Sequence, residues 1–403
     1  MAHPTMKKEE FLRIQPHTNE LILAHGSKKS PYSQRSSMTL SEILDLPIAL
    51  FSLPIVGFLA LLTGPFRARK QKFNPKQSIA ASLLLHVGYA VLRRSLLPST
   101  ITTYKFFIWG HGLKDQSIAL GEGATGHWLG NPNAKNVLIW IHEILELKHE
   151  VGGGWAVPAN RGYFAFFHKF LKEMRAAGKD IAVFAVAYTL APKAVYPTQF
   201  RQSVTAVRYI LEKTDRKASN VYLGGDSAGG NLVLAVLSHI AHPHPEIEPL
   251  KLAAGEEIGG ATLLSPWSSL ETTFPPLETE PLGDLIHPGC ARPWAGSYLA
   301  DRERDNYTDP RLAPIGWWHD VPIKHVLVTA GGYELLLPFI EDFADRLIEG
   351  LGEGKVEYFV GPREAHVAPM FNLLLGDRAE TEQGKRIKTF YREVINNDRL
   401  PSL

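Results

Sequence analysis

The residues best suited to covalent chemistry in this chain are Gly225-Asp226-Ser227-Ala228-Gly229, a serine held between glycines. The apolar run Val221 to Leu223 reads as a strand and Ala228 to Ile240 as a helix. The G-x-S-x-G pattern therefore falls on a sharp strand-to-helix turn, the context that gives the motif meaning. Such a turn holds a serine hydroxyl clear of the backbone. Glycine at 225 and 229 removes the Cβ atoms that would crowd strand or helix. The Ala228 N–H, at the start of the helix, is placed to stabilise an oxyanion. The chemistry implied is nucleophilic attack by Ser227; the alternative is a glycine-rich turn with no chemical role.

The elements that must position this turn follow a regular alternation. Val137–Ile141, Ile181–Ala187, Val221–Leu223, Ala261–Leu264, Val326–Thr329 and Lys355–Val360 are short apolar runs of the kind that form buried strands. Helical spacing occurs at Tyr163–Ala177, Phe200–Glu212, Ala228–Ile240, Pro338–Glu349 and Glu380–Asn396. Strands alternating with helices imply an α/β fold, with a mostly parallel central sheet and helices on both faces.

Several ordered segments resemble the hormone-sensitive-lipase branch of the α/β-hydrolases. They are Gly225 to Leu232, Tyr188 to Pro192 with Tyr196-Pro197, and Leu264 to Trp267. The resemblance covers about residues 105–395. Within the branch, fungal steryl acetyl hydrolases and arylacetamide deacetylases look nearest. It implies an α/β-hydrolase fold with a helical cap, drawn from about 75–110 and 268–320, and a triad in the order serine, acid, histidine. Of the 16 histidines, His319, His325 and His366 lie well past the later strands, and His366 follows the last strand. The resemblance assigns His366 as base and Glu334, in Ala330-Gly331-Gly332-Tyr333-Glu334, as acid. Asp342 is the second candidate for the acid, and Asp226 is a poor one because it neighbours the serine.

The branch carries His-Gly-Gly-Gly after a strand as its oxyanion motif. Here Glu143–Val151 separates His142 from Gly152-Gly153-Gly154-Trp155, so nine residues look inserted into the motif. The oxyanion donors expected are the N–H groups of Gly152, Gly153 and Ala228. Trp155, Phe166, Trp267, Trp294, Trp317 and Trp318 are candidates to line an apolar acyl or sterol pocket, with core packing the alternative for each.

Composition narrows the remaining possibilities. The 403 residues carry 43 Lys plus Arg against 41 Asp plus Glu, which excludes a surface built to neutralise many phosphates and so argues against a nucleic-acid partner. The single cysteine, Cys290, excludes an internal disulfide or a thiolate-rich zinc site, and reads as a packing residue. No metal or cofactor is implied. Residues 1–40 read as a polar, disordered leader. No charge occurs from Leu46 to Phe66, and Arg67, Arg69, Lys70 and Lys72 follow. Residues 41–66 are read as a membrane anchor of near-spanning length, with a helix lying in the membrane interface or a cap helix of the domain as the alternatives. The anchor places residues 67–403 as the hydrolase domain beside a membrane, with the endoplasmic reticulum expected and the side of the membrane open. The function expected is a serine hydrolase of carboxylic, chiefly acetyl, esters of small lipophilic alcohols such as sterols. An amide or formamide hydrolase and an inactive ligand-binding member are the alternatives.

Overall fold

In the computed structural model of the chain the described residues are 100–142, 160–191, 193–271, 273, 284, 286 and 288–395, with 54, 55 and 58. The expectations for the leader, for most of the anchor and for Glu143–Val151, Gly152, Gly153 and Trp155 lie outside them, as does the packing of Cys290. Among the described residues, no helix is long and apolar enough to cross a membrane.

Eight strands form one sheet: β1 (Ser117–Gly121), β2 (Ala124–Leu129), β3 (Asn136–Ile141), β4 (Ile181–Ala187), β5 (Val221–Asp226), β6 (Gly260–Leu264), β7 (Val326–Gly331) and β8 (Val356–Gly361). Their order is β1-β2-β4-β3-β5-β6-β7-β8. The pairs β1–β2 and β2–β4 are antiparallel, and the others are parallel. The helices are α1 (Thr100–Gly110), α2 (Arg161–Ala176), α3 (Thr198–Lys213), α4 (Ala228–Ala241), α5 (Pro288–Leu299), α6 (Leu337–Leu351), α7 (Ala368–Leu374) and α8 (Glu382–Val394).

The side-chain alternation of a strand divides the core in two. Val137, Ile139 and Ile141 of β3 join a cluster with residues of α3, α4 and α6. Leu138 and Trp140, pointing the other way, join a cluster with α1, α2 and α8. Every residue of β3 to β7 is buried, which accounts for apolar runs without polar alternation.

The apolar pattern marks neither β1 nor β2. β2 is buried except at Thr125, which is partly exposed, but at its centre it carries Gly126 and His127 rather than aliphatic residues. A Cβ on Gly126 would lie 1.8 Å from the Phe184 ring, so glycine is required there by packing. His127 is pushed down to about 4 by burial and stays neutral at neutral pH.

The chain reverses direction across the sheet between β3 and β5. From β3 it crosses to β4, then returns over β3 to β5. In a parallel sheet, such a switch point opens a crevice at the carboxyl ends of its strands. His142 follows β3 and Ser227 follows β5, so both stand at that crevice.

Candidate active site

From Val221 to His239 every residue is buried except Ser227, which is partly exposed. The turn that presents it is tight. Ser227 has φ 51° and ψ −120°, a left-handed conformation that a non-glycine residue adopts only when its surroundings impose it. The surroundings are explicit. The Ser227 N–H donates to Leu264 O at 3.0 Å, and its carbonyl accepts the Trp267 N–H at 2.9 Å. A Cβ on Gly225 would lie 2.4 Å from Gly229 O, and one on Gly229 would lie 2.0 Å from Ile141 O. The two glycines are thus the condition for strand, turn and α4 to pass so close together. Although Ser227 occupies the cap position of α4, its side chain makes no capping bond. The Ala228 N–H lies in the first turn of that helix, where backbone donors have no intrahelical acceptor and the helix dipole favours negative charge.

Asp226 is turned away from this hydroxyl. Its Oδ1 accepts Trp140 Nε1–H at 2.8 Å, and its Oδ2 accepts the Tyr163 hydroxyl at 2.6 Å. His142 Nδ1 lies 2.9 Å from Oδ2, and since a carboxylate only accepts, that nitrogen carries the proton. Asp226 therefore fastens the end of β3 and the first turn of α2 beneath the Ser227 turn, the elbow between β5 and α4. The sequence gives no sign of this role beyond the position of Asp226 before the serine.

Glu334 and His366 come from the loops after β7 and β8, which end side by side at the Gly331–Gly361 pair. The loops are joined by Gly332 N–H to Gly361 O and Tyr333 N–H to Glu364 O, both 2.9 Å. Glu334 is fully buried, and its Oε2 accepts the Ser265 hydroxyl at 2.6 Å and the Gly331 N–H at 2.8 Å. Its Oε1 faces His366 Nδ1 at 3.8 Å. Burial alone would lower the His366 pKa. Glu334, with Asp284 and Asp226, outweighs that, so the imidazole is raised above its ordinary value. Ser265 also accepts the Val367 N–H at 3.3 Å, and it follows Leu264, the acceptor of the Ser227 N–H. Ser265 is thus one residue from the acceptor that anchors the Ser227 turn while touching both the Glu334 and the His366 loops.

The other candidates fall elsewhere. Asp342, inside α6, pairs with Arg311 at 2.5 Å. His325 immediately precedes β7, at the opposite edge of the sheet from Ser227. Trp317 stacks on His242 at the far end of α4, with ring centroids 3.9 Å apart. Trp318 is buried against Phe343 and the end of α6, since a Cβ on Gly350 would lie 2.7 Å from it. Both helices run away from the strand ends that carry the triad candidates, so Trp317 and Trp318 pack the opposite edge and do not line the crevice. Phe166 is buried in the core. Trp267 meets Trp294 of α5 edge-on at 6.2 Å beside the elbow. Among the described residues no group of three His, Cys, Asp or Glu side chains could hold a metal ion.

Comparison with known proteins supplies a second line of observation. A family model described as alpha/beta hydrolase fold matches residues 151–370, more than half of the chain. The chain is 31% identical over 143 residues to steryl acetyl hydrolase 1 of Saccharomyces cerevisiae, covering 34% of this chain and 28% of that protein. It is 35% identical over 94 residues to arylacetamide deacetylase of Bos taurus, covering 22% and 23%. These alignments span about a quarter of each relative's length. Among solved structures, an esterase from the bacterial hormone-sensitive lipase family matches with a TM-score of 0.57 at 22% identity, over 81% of this chain and 100% of the other. Carboxyl esterase 2 of Tuber melanosporum matches with a TM-score of 0.54 at 21% identity, over 70% and 87%. At such identities the structures establish the shared fold.

Proposed function

Because this chain belongs to the α/β-hydrolase-fold family, we propose that it is a serine esterase that cleaves carboxylic, chiefly acetyl, esters of lipophilic alcohols such as sterols through an acyl-enzyme on Ser227. The observation that carries the reading is the isolation of Ser227. It is the one partly exposed residue between Val221 and His239, held at a positive φ, and His366 and Glu334 stand on the ends of two strands that pair with each other.

In this mechanism His366 removes the Ser227 proton as the hydroxyl attacks the ester carbonyl. Glu334 faces Nδ1, fixes the tautomer and stabilises the imidazolium. The tetrahedral oxyanion is held by the Ala228 N–H, with Gly152 and Gly153 as the other donors. Collapse expels the alcohol, which takes the proton from His366. Water, activated by the same imidazole, then hydrolyses the acyl-enzyme and regenerates Ser227. No metal or cofactor enters these steps.

The sterol preference rests on the relative named steryl acetyl hydrolase 1 and on the apolar stretch 46–66. We read residues 41–66 as a membrane anchor, at the endoplasmic reticulum, that brings the site to membrane-dissolved esters. The relatives named arylacetamide deacetylase favour a second reading, hydrolysis of an amide. The nine residues inserted after His142 favour a third, a ligand-binding member without turnover. Rates on short-chain, long-chain and steryl esters, and on an aryl acetamide, separate the first two when wild type is compared with Ser227→Ala. Failure of folded protein to react with a fluorophosphonate would favour the third.

A further inference from the structure

Ser265 is not alone in tying the acid loop to the base loop. Asp284, in the chain between β6 and β7, is buried at 4% exposure. Its Oδ1 accepts the His366 backbone N–H at 3.0 Å, and its Oδ2 accepts the Leu335 backbone N–H at 2.7 Å. The first N–H belongs to the residue that carries the base. The second belongs to the residue after the acid. One carboxylate thus spans the two loops whose side chains face each other at 3.8 Å. A buried carboxylate is costly unless its oxygens are bonded, and charge-assisted bonds from backbone N–H groups are strong and directional. Neither bond goes to the imidazole, so Asp284 does not take the place of Glu334.

We propose that Asp284 is a positioning residue of the catalytic centre. Its carboxylate clamps the His366 loop to the Glu334 loop, and so makes the alignment of the base depend on the chain between β6 and β7. The proposal rests on the assignment of Ser227, His366 and Glu334 above. Two physical effects follow from the clamp. Releasing it frees the His366 backbone, and misplacement by about 1 Å is enough to cost on the order of 10² in rate. Removing its charge also leaves Glu334 and Asp226 as the carboxylates that favour the imidazolium of His366.

The test compares wild type with Asp284→Asn and Asp284→Glu. The amide of Asp284→Asn keeps one acceptor, but sets an NH2 donor against a backbone donor. The glutamate keeps charge and both acceptors on a longer arm. Hydrolysis of p-nitrophenyl acetate is measured per Ser227 titrated with a fluorophosphonate, and the His366 imidazole is titrated by 15N NMR. We expect Asp284→Asn to lower kcat per titrated serine by about 10- to 100-fold, with KM changed by less than about threefold. His366 should titrate at lower pH, and Asp284→Glu should recover part of both. Wild-type kcat per titrated site with an unmoved His366 titration would overturn the proposal, as would a loss confined to the yield of folded protein. If Asp284→Asn does not fold, Asp284→Glu decides by the same readouts, since a lengthened arm must still disturb kcat and the titration. If wild type hydrolyses no ester or amide, the esterase reading fails, while hydrogen exchange of the His366 and Leu335 backbone N–H groups, slow in wild type and fast in Asp284→Asn, still decides the clamp.

Discussion

His366 Nδ1 lies 3.8 Å from Glu334 Oε1, and neither buried atom has a hydrogen-bond partner among the described residues. The two face each other across a gap about 1 Å longer than a hydrogen bond. Catalytic bonds are often long before substrate binds and tighten as charge develops. An imidazolium forming at His366 would draw in the one carboxylate oxygen left open for it, because the other already accepts from Ser265 and Gly331.

The first prediction concerns pH. In the proposed mechanism the base works as neutral imidazole, so activity should appear as pH rises through the His366 pKa. Glu334 favours the charged form and holds that pKa above its ordinary value against the opposing effect of burial. The acid limb of kcat/KM should therefore lie above the ordinary imidazole range. Glu334→Gln should move the limb to lower pH and cut kcat by about 10²- to 10⁴-fold. A pH–rate profile checks both, and an unmoved limb would remove Glu334 from the mechanism.

The elbow glycines give a prediction about stability. With a Cβ only 2.0 Å from Ile141 O, Gly229→Ala should cost about 1–3 kcal/mol or more and abolish turnover. Gly110→Ala, where a Cβ meets nothing within 4 Å, should stay within about 0.5 kcal/mol. Urea denaturation of the two variants measures the contrast. Equal midpoints would mean that the turn relaxes freely.

Beneath the elbow, Asp226→Ala should leave the Trp140 indole N–H, the His142 Nδ1–H and the Tyr163 hydroxyl without their acceptor. Unsatisfied buried donors cost about 1–3 kcal/mol each, so this variant should be strongly destabilised. Tyr163→Phe, which removes one donor and leaves the carboxylate two, should cost only about 1 kcal/mol. Thermal melts separate the two, and similar losses would show that Asp226 contributes through something other than these three bonds.

The nine residues Glu143–Val151 have no role in the proposed mechanism. Their deletion joins His142 to Gly152 and should leave kcat/KM equal to or above that of the full chain. A fall approaching the 10²–10³ associated with a lost oxyanion donor would show that the nine residues supply part of the hole.

Much of this arrangement was legible in the sequence, for identifiable reasons. Val221–Leu223, Ala261–Leu264 and Val326–Thr329 are strands buried on both faces, so their composition is nearly pure apolar. Ser227 was legible because its glycines are demanded by backbone contacts, and such demands leave few alternatives. His366 and Glu334 were singled out through the resemblance to the hormone-sensitive-lipase branch, which implies the order serine, acid, histidine, and the structure brings the two side chains face to face. β2 was hidden because close packing on Phe184 selects glycine there, and Gly126 carries no strand signal. Asp284 was hidden for a different reason. Its partners are two backbone N–H groups far away in sequence, and a lone aspartate in a Pro- and Asp-rich stretch does not announce them. Trp317 and Trp318 looked like pocket residues because an aromatic side chain reads the same whether it lines a crevice or packs the opposite edge.

Labelling of the folded chain with a fluorophosphonate, followed by intact-mass and peptide mapping, tests the role of Ser227 most directly. One adduct should form, on Ser227, and loss of ester hydrolysis should track its formation. Ser227→Ala should be unlabelled and inactive. An unlabelled wild type, or a Ser227→Ala variant that still hydrolyses esters at the wild-type rate, would contradict a nucleophilic Ser227.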